Sequence, residues 1–482
     1  MSQEMITSSQ DYIGSLGGRN LEIYLMGERV EEPLEHPMLR PSINAMAMTY
    51  DLARMEPELA TAESPLIGKP VNRFLHVAGC PGDVVMQNHM QRRLGQLTGT
   101  CFQRCVGMDA LNALYSVTYE IDAMHKTPYH ARLVEFIKKM QEQNIVIGGA
   151  MTDVKGDRSK SPSAQADPDL YLHITRRSVD GVYVSGAKAH QTGAINSHWL
   201  IVMPTLRLQQ GEEDYAIVGA LPVDAEGITY VVGRQSCDTR ILEGEMDAGN
   251  AGFSGLEALI IFREAFIPNE LIFMNGETDF SAMLVERFTA FHRRSYVCKA
   301  GVGDVLIGAA ATAVEYNGVQ KASHIRDKLV EMTHLNETIY ATGIASSFLS
   351  KPTASGAYLC DELLANVCKQ HVTRITYEMA RLAQDLAGGL LVTMPSEADY
   401  RHEVVGPLLE KYLRGREDIS TENRMRILRL IENITLGRNA VGYLTESLHG
   451  AGSPQAQRIQ IQRQMDLDFR QGLAKKLAGV KK

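Results

Sequence analysis

Residues 199–232 read WLIVMPTLRLQQGEEDYAIVGALPVDAEGITYVV, and this stretch decides the fold class. It holds short runs rich in β-branched residues, separated by turn residues such as Gly and Asp. Such runs predict the strands of an antiparallel sheet or barrel. The same pattern starts further upstream, so the predicted strands are residues 171–175, 182–185, 199–204, 216–220 and 228–232.

Helical periodicity flanks these strands on both sides. The predicted helices are residues 43–55, 87–97, 109–144, 280–316, 319–347, 358–386 and 424–436. The order of helices, strands and helices predicts an α+β fold. It has an N-terminal helical domain over residues 1–147, a middle antiparallel β domain over 148–278 and a C-terminal helical bundle over 279–482.

Composition excludes several classes of protein. The 482 residues carry 49 Lys and Arg against 57 Asp and Glu, and this acidic balance argues against a nucleic-acid surface. The longest apolar runs fall short of the ~20 residues that span a bilayer, and the first ten residues lack a signal-peptide core. We therefore expect a cytoplasmic protein. The seven cysteines are an odd set without a disulfide framework, so any special role for them is redox or metal chemistry.

Two segments carry thiols in a polar setting. Cys101 and Cys105 are four residues apart, a spacing that puts both on one helical face. Cys298 follows His292 in a segment dense in polar residues, and three cysteines with one histidine can ligate an iron-sulfur cluster or zinc. The alternative is that these cysteines are small buried hydrophobes. That interpretation is the one we give to the remaining cysteines, Cys80, Cys237, Cys360 and Cys368.

Four further segments have a composition that suits ligand binding. Residues 186–193 form a predicted turn after a strand, which suits a flavin or nucleotide but also fits a polar hairpin. Residues 151–158 are a polar loop at the transition from helix to strand. Residues 385–389 end a predicted helix with two glycines, which allow the backbone to approach a phosphate closely or merely form a C-cap. Residues 445–454 combine an acid, a histidine and small residues, which suits an active-site loop.

Together these motifs resemble those of the 4-hydroxybutyryl-CoA dehydratases over nearly the full length. The residues that carry the resemblance are 37–44, 101–105, 190–193, 292–298 and 446–458. The wider relatives are flavin-dependent 4-hydroxyphenylacetate 3-monooxygenases on an acyl-CoA dehydrogenase-like scaffold. The resemblance implies radical dehydration of an acyl-CoA substrate, 4-hydroxybutyryl-CoA, to crotonyl-CoA with FAD and a [4Fe-4S] cluster. It also implies vinylacetyl-CoA isomerase activity.

The resemblance further implies the cluster ligands Cys101, Cys105, His292 and Cys298. In the family pattern six residues separate the histidine from the third cysteine, whereas five separate them here. On a regular helix the two side chains would point ~120° apart, so we expect a local bulge or break between them.

Other site residues are implied in the same way. The catalytic set is His292, Tyr296, Glu446, Glu257, Lys299 and Gln103. The FAD set is Met151, Thr152, Asp153, Asp157, Arg158, His190, Gln191 and Thr192 from one subunit, with Asp385, Gly388 and Gly389 from a neighbouring subunit. A site shared in this way implies an obligate oligomer, a homotetramer built as a dimer of dimers.

Two other enzyme functions compete with the first. One is a flavin-dependent phenol monooxygenase of the 4-hydroxyphenylacetate 3-hydroxylase type, although that chemistry does not call for three cysteines and a histidine. The other is a paralogue that has lost its cluster and keeps isomerase activity, which the shortened spacing between His292 and Cys298 favours.

Overall fold

The computed structural model of the chain describes residues 5–234 and 244–481. The helices are α1 Ser9–Ser15, α2 Arg40–Met55, α3 Pro57–Ala60, α4 Pro81–Thr98, α5 Cys105–His125, α6 Tyr129–Gln143, α7 Ser281–Ser295, α8 Cys298–Tyr316, α9 Ser323–Phe348, α10 Glu362–Ala387, α11 Leu390–Thr393, α12 Glu397–Arg401, α13 Gly406–Tyr412, α14 Thr421–Thr435, α15 Arg438–Ala440, α16 Glu446–His449, α17 Pro454–Gln464 and α18 Leu467–Leu477. The strands are β1 Glu22–Leu25, β2 Glu28–Arg29, β3 Thr61–Ser64, β4 Lys69–Asn72, β5 Ile147–Ala150, β6 His173–Arg177, β7 Gly181–Thr192, β8 Trp199–Val202, β9 Ile217–Pro222, β10 Ile228–Val232, β11 Glu257–Pro268, β12 Ile272–Asn275, β13 Lys351–Pro352 and β14 Tyr358–Leu359.

Two sheets form the middle of the molecule. The larger has the order β2-β1-β10-β11-β7-β6 and the smaller the order β12-β9-β8-β5. Most neighbours are antiparallel, as predicted, but β1 pairs with β10 and β5 pairs with β8 in parallel. The parallel pairs arise because β1, β2 and β5 come from the first 150 residues and join the sheets from outside the predicted strand region.

The longest strands exceed the prediction. β7 continues through residues 186–192, where the composition indicated a turn. Its partner β11 was not predicted, and the two pair along most of their length with two irregularities. Gly186 permits this because its φ is 124° and a Cβ there would lie 2.5 Å from the carbonyl oxygen of Tyr171.

Two predicted helices are interrupted. The predicted helix 109–144 breaks at residues 126–128, where Lys126 is left-handed and Pro128 precedes α6. The predicted helix 280–316 breaks after Ser295, and α8 starts again at Cys298. The expected break between His292 and Cys298 is therefore present.

Apolar side chains from the sheets, α5, α6 and α7 form the main core, and α8, α9, α10 and α14 enclose a second core. The stretch Thr278–Tyr316 is the one described segment long and apolar enough to cross a membrane by length and composition. Of its most apolar window, 67% is buried inside the protein, which is typical of a helix in a protein core.

The structure corrects three sequence interpretations. Cys80 is exposed just before α4, so its interpretation as a packing residue was wrong. Cys360 and Cys368 are buried, as expected of packing residues. Cys237 lies outside the described residues. Cys101 lies in the loop before α5, so it does not share a helical face with Cys105. Within residues 445–454, Glu446–His449 is helical rather than loop.

Candidate active site

Three thiols lie where α4, α5 and α8 meet. Cys101 is in the loop between α4 and α5, Cys105 is the first residue of α5 and Cys298 is the first residue of α8. Helices α4 and α8 cross closely at Gly95, because a Cβ on that residue would lie 2.4 Å from the carbonyl oxygen of Cys298. The close crossing brings the start of α8 against the helix that leads into the Cys101 loop.

The thiols influence one another electrostatically. Burial raises the pKa of each thiol. Glu446 and Cys298 raise the pKa of Cys101 further, and Cys298, Asp109 and Cys101 raise that of Cys105. For Cys298, burial raises the pKa to about 11, while Lys299 acts in the opposite direction. Cys101 donates to Glu446 at 3.6 Å, and Cys105 accepts from the side-chain amide of Gln91 at 3.3 Å. The three thiols therefore belong to one polar pocket.

The imidazole of His292 is held by a buried carboxylate. Its Nδ1 lies 2.8 Å from Oδ2 of Asp109, whose side chain is fully buried. The ring stacks on Phe288 and meets the ring of Tyr296 edge to face. These contacts leave Nε2 as the ring nitrogen available to a ligand or substrate.

A buried ion pair lies beside the thiols. The Lys299 ammonium donates to Oε2 of Glu446 at 3.0 Å and to the carbonyl of Gly442 at 2.8 Å. Burial alone would lower the pKa of Lys299, but the Glu446 carboxylate and neighbouring thiols raise it above its usual range. Lys299 is therefore a permanent positive charge within this pocket.

Tyr296 lies in the turn between α7 and α8. Its hydroxyl donates to the backbone carbonyl of Glu446 at 3.4 Å, and burial raises its pKa well above the usual range. A Cβ at position 450 would lie 1.6 Å from the Tyr296 hydroxyl oxygen. Only glycine fits at Gly450, which lets the C-terminal loop close over the tyrosine.

Glu257 and Thr192 face each other across the β7 and β11 pairing. The Thr192 hydroxyl lies 2.8 and 2.7 Å from the two carboxyl oxygens of Glu257. Burial and the nearby Glu446 charge raise the pKa of Glu257 to about 8. Near neutral pH this carboxyl is therefore mostly protonated.

Gln103 holds the loop between α4 and α5, which carries Cys101, in place. Its φ is 65°, and its amide donates to the carbonyls of Ser42 and Ser254 at 2.9 and 3.1 Å. A Cβ at Gly193, next to Thr192, would lie 2.7 Å from the Cβ of Gln103. The residue thus packs the thiol loop against the end of β7.

Several predicted flavin residues of the middle segment form a buried hydrogen-bonded network. Gln191 accepts from the Met151 amide at 3.0 Å and donates to the Thr152 carbonyl at 3.1 Å. The buried Asp153 pairs with Lys188 and accepts from the Thr205 hydroxyl at 2.9 Å, so it holds the strands together.

The remaining middle-segment residues are exposed. Asp157 accepts from the hydroxyl and amide of Ser159, and Arg158 faces solvent. His190 is exposed with φ of 57°; partial burial and the nearby Lys155 and His449 lower its pKa. The His449 interaction brings the C-terminal loop near the end of β7.

The residues predicted to come from a neighbouring subunit lie elsewhere. Asp385 pairs with Lys328 of α9 at 2.7 Å, and α10 ends at Gly388 with φ of 77°. This end of α10 packs against α11 and α14. Over residues 5–234 and 244–481, no hydrogen bond or ion pair joins this segment to the β7 residues.

Sequence reasoning missed three polar residues of the site. Asp109 holds His292, Gln91 donates to Cys105, and Lys369 lies 3.9 Å above the Tyr296 ring. Asp109 could have been found from its position one helical turn after Cys105, on the same face of α5. Gln91 and Lys369 sit on amphipathic helices whose pattern gives no such signal.

No group of three or more His, Cys, Asp or Glu side chains converges on a single-ion site in the described part of the chain. A four-iron cluster differs, because it takes one protein ligand per iron and its ligands need not meet at one point.

Known proteins match this chain over nearly its full length and share its fold. The sequence matches the 4-hydroxyphenylacetate 3-hydroxylase family, its N-terminal part over residues 8–274 and its C-terminal part over residues 281–479. It is 54% identical to the 4-hydroxybutyryl-CoA dehydratase/vinylacetyl-CoA-Delta-isomerase of Clostridium aminobutyricum, covering 99% of this chain and 100% of that protein.

Solved structures extend this likeness. An oxygen-tolerant archaeal 4-hydroxybutyryl-CoA dehydratase from N. maritimus is 65% identical with a TM-score of 0.98, over 99% of this chain and 96% of that one. The oxygenase component of 4-hydroxyphenylacetate 3-monooxygenase, complexed with FAD, has 20% identity and a TM-score of 0.85, over 99% of this chain and 100% of that one. The second likeness concerns the fold alone.

Proposed function

The chain belongs to the 4-hydroxyphenylacetate 3-hydroxylase family and, within it, to the 4-hydroxybutyryl-CoA dehydratases, and from this membership we propose that it dehydrates 4-hydroxybutyryl-CoA to crotonyl-CoA. We also propose vinylacetyl-CoA isomerase activity. The observation that carries the proposal is the cluster of three thiols beside a buried Lys-Glu pair, next to a histidine whose neighbours Asp109 and Tyr296 also interact with those thiols. The chain that holds it is 54% identical to a dehydratase over its full length.

The pocket fits an iron-sulfur cluster. Cys101, Cys105 and Cys298 are free thiols and influence one another electrostatically. Lys299 favours the thiolate form of Cys101 and Cys298, which is the form that binds iron. One ring nitrogen of His292 lies at hydrogen-bond distance from a carboxylate oxygen, the usual arrangement of a metal-bound histidine. These four residues would hold a [4Fe-4S] cluster.

The end of β7 fits a flavin. The Thr192 hydroxyl donates to Glu257 and keeps its acceptor lone pairs, and the exposed His190 ring lies two residues away. Gln191 holds the Met151 and Thr152 backbone beside them. Because Asp385, Gly388 and Gly389 make no contact with this end of β7 in the described chain, we propose that they serve the FAD diphosphate of a neighbouring subunit. That arrangement requires an oligomer, for which we propose a homotetramer with an acyl-CoA dehydrogenase-like layout.

When bound, FAD supplies one-electron chemistry and the cluster supplies a Lewis acid for the departing hydroxyl group. The protein supplies the proton transfers. Once released from iron, Nε2 of His292, the nitrogen that Asp109 leaves free, would take the C2 proton of the substrate. The Tyr296 hydroxyl, one turn further along the chain, would donate to the leaving oxygen.

The ion pair completes the proposed chemistry. Lys299 would stabilise the negative charge that develops on the thioester oxygen, because its ammonium is buried and fixed by Glu446. Forming crotonyl-CoA also requires loss of the C3 proton and protonation of C4, and Glu446 would relay a proton between these positions. Glu257 would position the Thr192 hydroxyl, and Gln103 would hold the thiol loop against β7.

Cofactor content tests the proposal. Full-length protein purified anaerobically is expected to carry about four irons with matching acid-labile sulfide, and about one FAD per chain. Cys298→Ala is expected to lose most of the iron. Cys368→Ala is the matched control, because Cys368 is also buried but contacts the Ile339 carbonyl, so it should keep its iron. Wild-type protein with FAD but no iron after reconstitution would favour the cluster-free alternatives.

A further inference from the structure

We propose that Asp109 is a positioning residue that fixes the tautomer of His292, so that the proton sits on Nδ1 and Nε2 faces the site. This inference deepens the proposed function and rests on it only for the chemistry that Nε2 performs. The orientation itself is a property of the chain.

Asp109 is held as an acceptor on both oxygens. Its Oδ2 lies 2.8 Å from Nδ1 of His292, and its Oδ1 accepts from the Ser295 hydroxyl at 2.9 Å. The guanidinium of Arg294 lies 3.6 Å from Oδ1, and both Asp109 and Arg294 are fully buried. Because the Ser295 hydroxyl and the Arg294 guanidinium approach Oδ1 as donors, we infer that Oδ2 also accepts and that Nδ1 of His292 carries the hydrogen between them.

The partners of Asp109 are themselves fixed. Arg294 donates to the Val84 carbonyl at 2.8 Å and to the Gln87 side chain at 2.9 Å, both on α4. Asp109 is therefore anchored between α4, α5 and α7, and it cannot rotate away from His292 without leaving a buried charge unpaired. Losing such a partner is costly, which keeps the pair in one geometry.

The variant Asp109→Asn tests this inference, because Ser295 and Arg294 determine which way the amide group points. In Asp109→Asn, the Ser295 hydroxyl and Arg294 both need an acceptor at the Oδ1 position, so the amide oxygen takes that place. The amide nitrogen then faces Nδ1 of His292 and donates to it. The imidazole proton is forced onto Nε2, where it blocks that nitrogen.

We expect neutron diffraction of full-length crystals to place the hydrogen on Nδ1 in the wild type and on Nε2 in Asp109→Asn. The variant should lose iron and show kcat lowered about 10- to 100-fold with little change in KM, as for other carboxylates that orient metal-bound histidines. Ser295→Ala is the matched control, since it removes a partner of Asp109 without touching His292, and it should keep the Nδ1 hydrogen and the iron.

A hydrogen on Nε2 and none on Nδ1 in the wild type would overturn the inference even if the variant fails to fold. An Asp109→Asn protein with the Nδ1 hydrogen, full iron and unchanged kcat would overturn it as well. The hydrogen position does not depend on any activity, so a chain that makes no crotonyl-CoA would contradict the proposed function and leave this result standing.

Discussion

Buried carboxyl and ammonium groups decide how the candidate active site is charged. Lys299 keeps its charge because Glu446 and the thiols outweigh the effect of burial on its pKa. Burial and the charge of Lys299 lower the pKa of Lys369 well below its usual range, so Lys369 holds its proton less tightly than Lys299 does. Glu257, with a pKa of about 8, is mostly protonated near neutral pH. The pocket therefore holds one compensated ion pair and a carboxyl group that is mostly protonated near neutral pH.

The pKa of Glu257 predicts a pH-dependent stability difference. Below its usual value of 4.5 the carboxyl is protonated in the folded and the unfolded chain. As pH rises to about 8, only the unfolded chain loses the proton, so the free energy of unfolding falls over this interval. Glu257→Gln has no such group and should gain stability relative to wild type between pH ~5 and ~8.

Denaturant midpoints at both pH values measure this difference. The exposed Glu58→Gln serves as a control and should show no gain. A constant difference between wild type and Glu257→Gln across the interval would show that Glu257 does not keep its proton.

The close crossing of α4 and α8 positions the thiols. The sequence pattern predicts helices in these regions but not the crossing. The helices were predicted from periodicity, whereas β11 was missed because Glu257–Pro268 carries charges on the exposed half of the strand. The break before Cys298 followed from its spacing to His292. Asp109 lies one helical turn after Cys105, but only the packing of α7 against α5 shows that it contacts His292. Local sequence patterns predicted many of the helices and strands. The contact partners of individual side chains depend on tertiary packing, which those patterns do not encode.

Two glycines on α8 test the close crossing with α4. A Cβ at Gly301 would lie 2.0 Å from the Arg92 carbonyl oxygen, whereas a Cβ at Gly308 meets no atom within 4 Å. Gly301→Ala should destabilise the protein by about 1–3 kcal/mol through overpacking and lower its iron content. Gly308→Ala, on the same helix, should be neutral or stabilise it by up to about 1 kcal/mol.

Thermal unfolding and iron analysis of both variants check this prediction. If Gly301→Ala unfolds at the wild-type temperature and keeps its iron, α4 and α8 do not cross as closely as described.

The whole molecule combines sheets that recruit strands from the first 150 residues with a helical second core. The three-domain division stays a prediction. At its C-terminal side, α18 has no buried residue and exposes Phe469, Leu473 and Leu477. These side chains are available for contacts between subunits of the proposed tetramer.

We predict that Leu473→Asp weakens the tetramer, because it places a charge in this apolar row. Lys475→Gln changes the charge in the same direction on the same helix and should leave the assembly intact. Sedimentation velocity distinguishes the two. A Leu473→Asp protein that sediments as the wild type does would remove α18 from the proposed interface.

The most direct test of the central claim is product analysis with 4-hydroxybutyryl-CoA. Anaerobically prepared wild-type enzyme is incubated with this thioester, and the products are identified by chromatography and mass spectrometry. Crotonyl-CoA is expected to form with wild type and with Cys368→Ala, and to be lost in Cys298→Ala. No crotonyl-CoA from wild-type protein that carries both iron and FAD would contradict it.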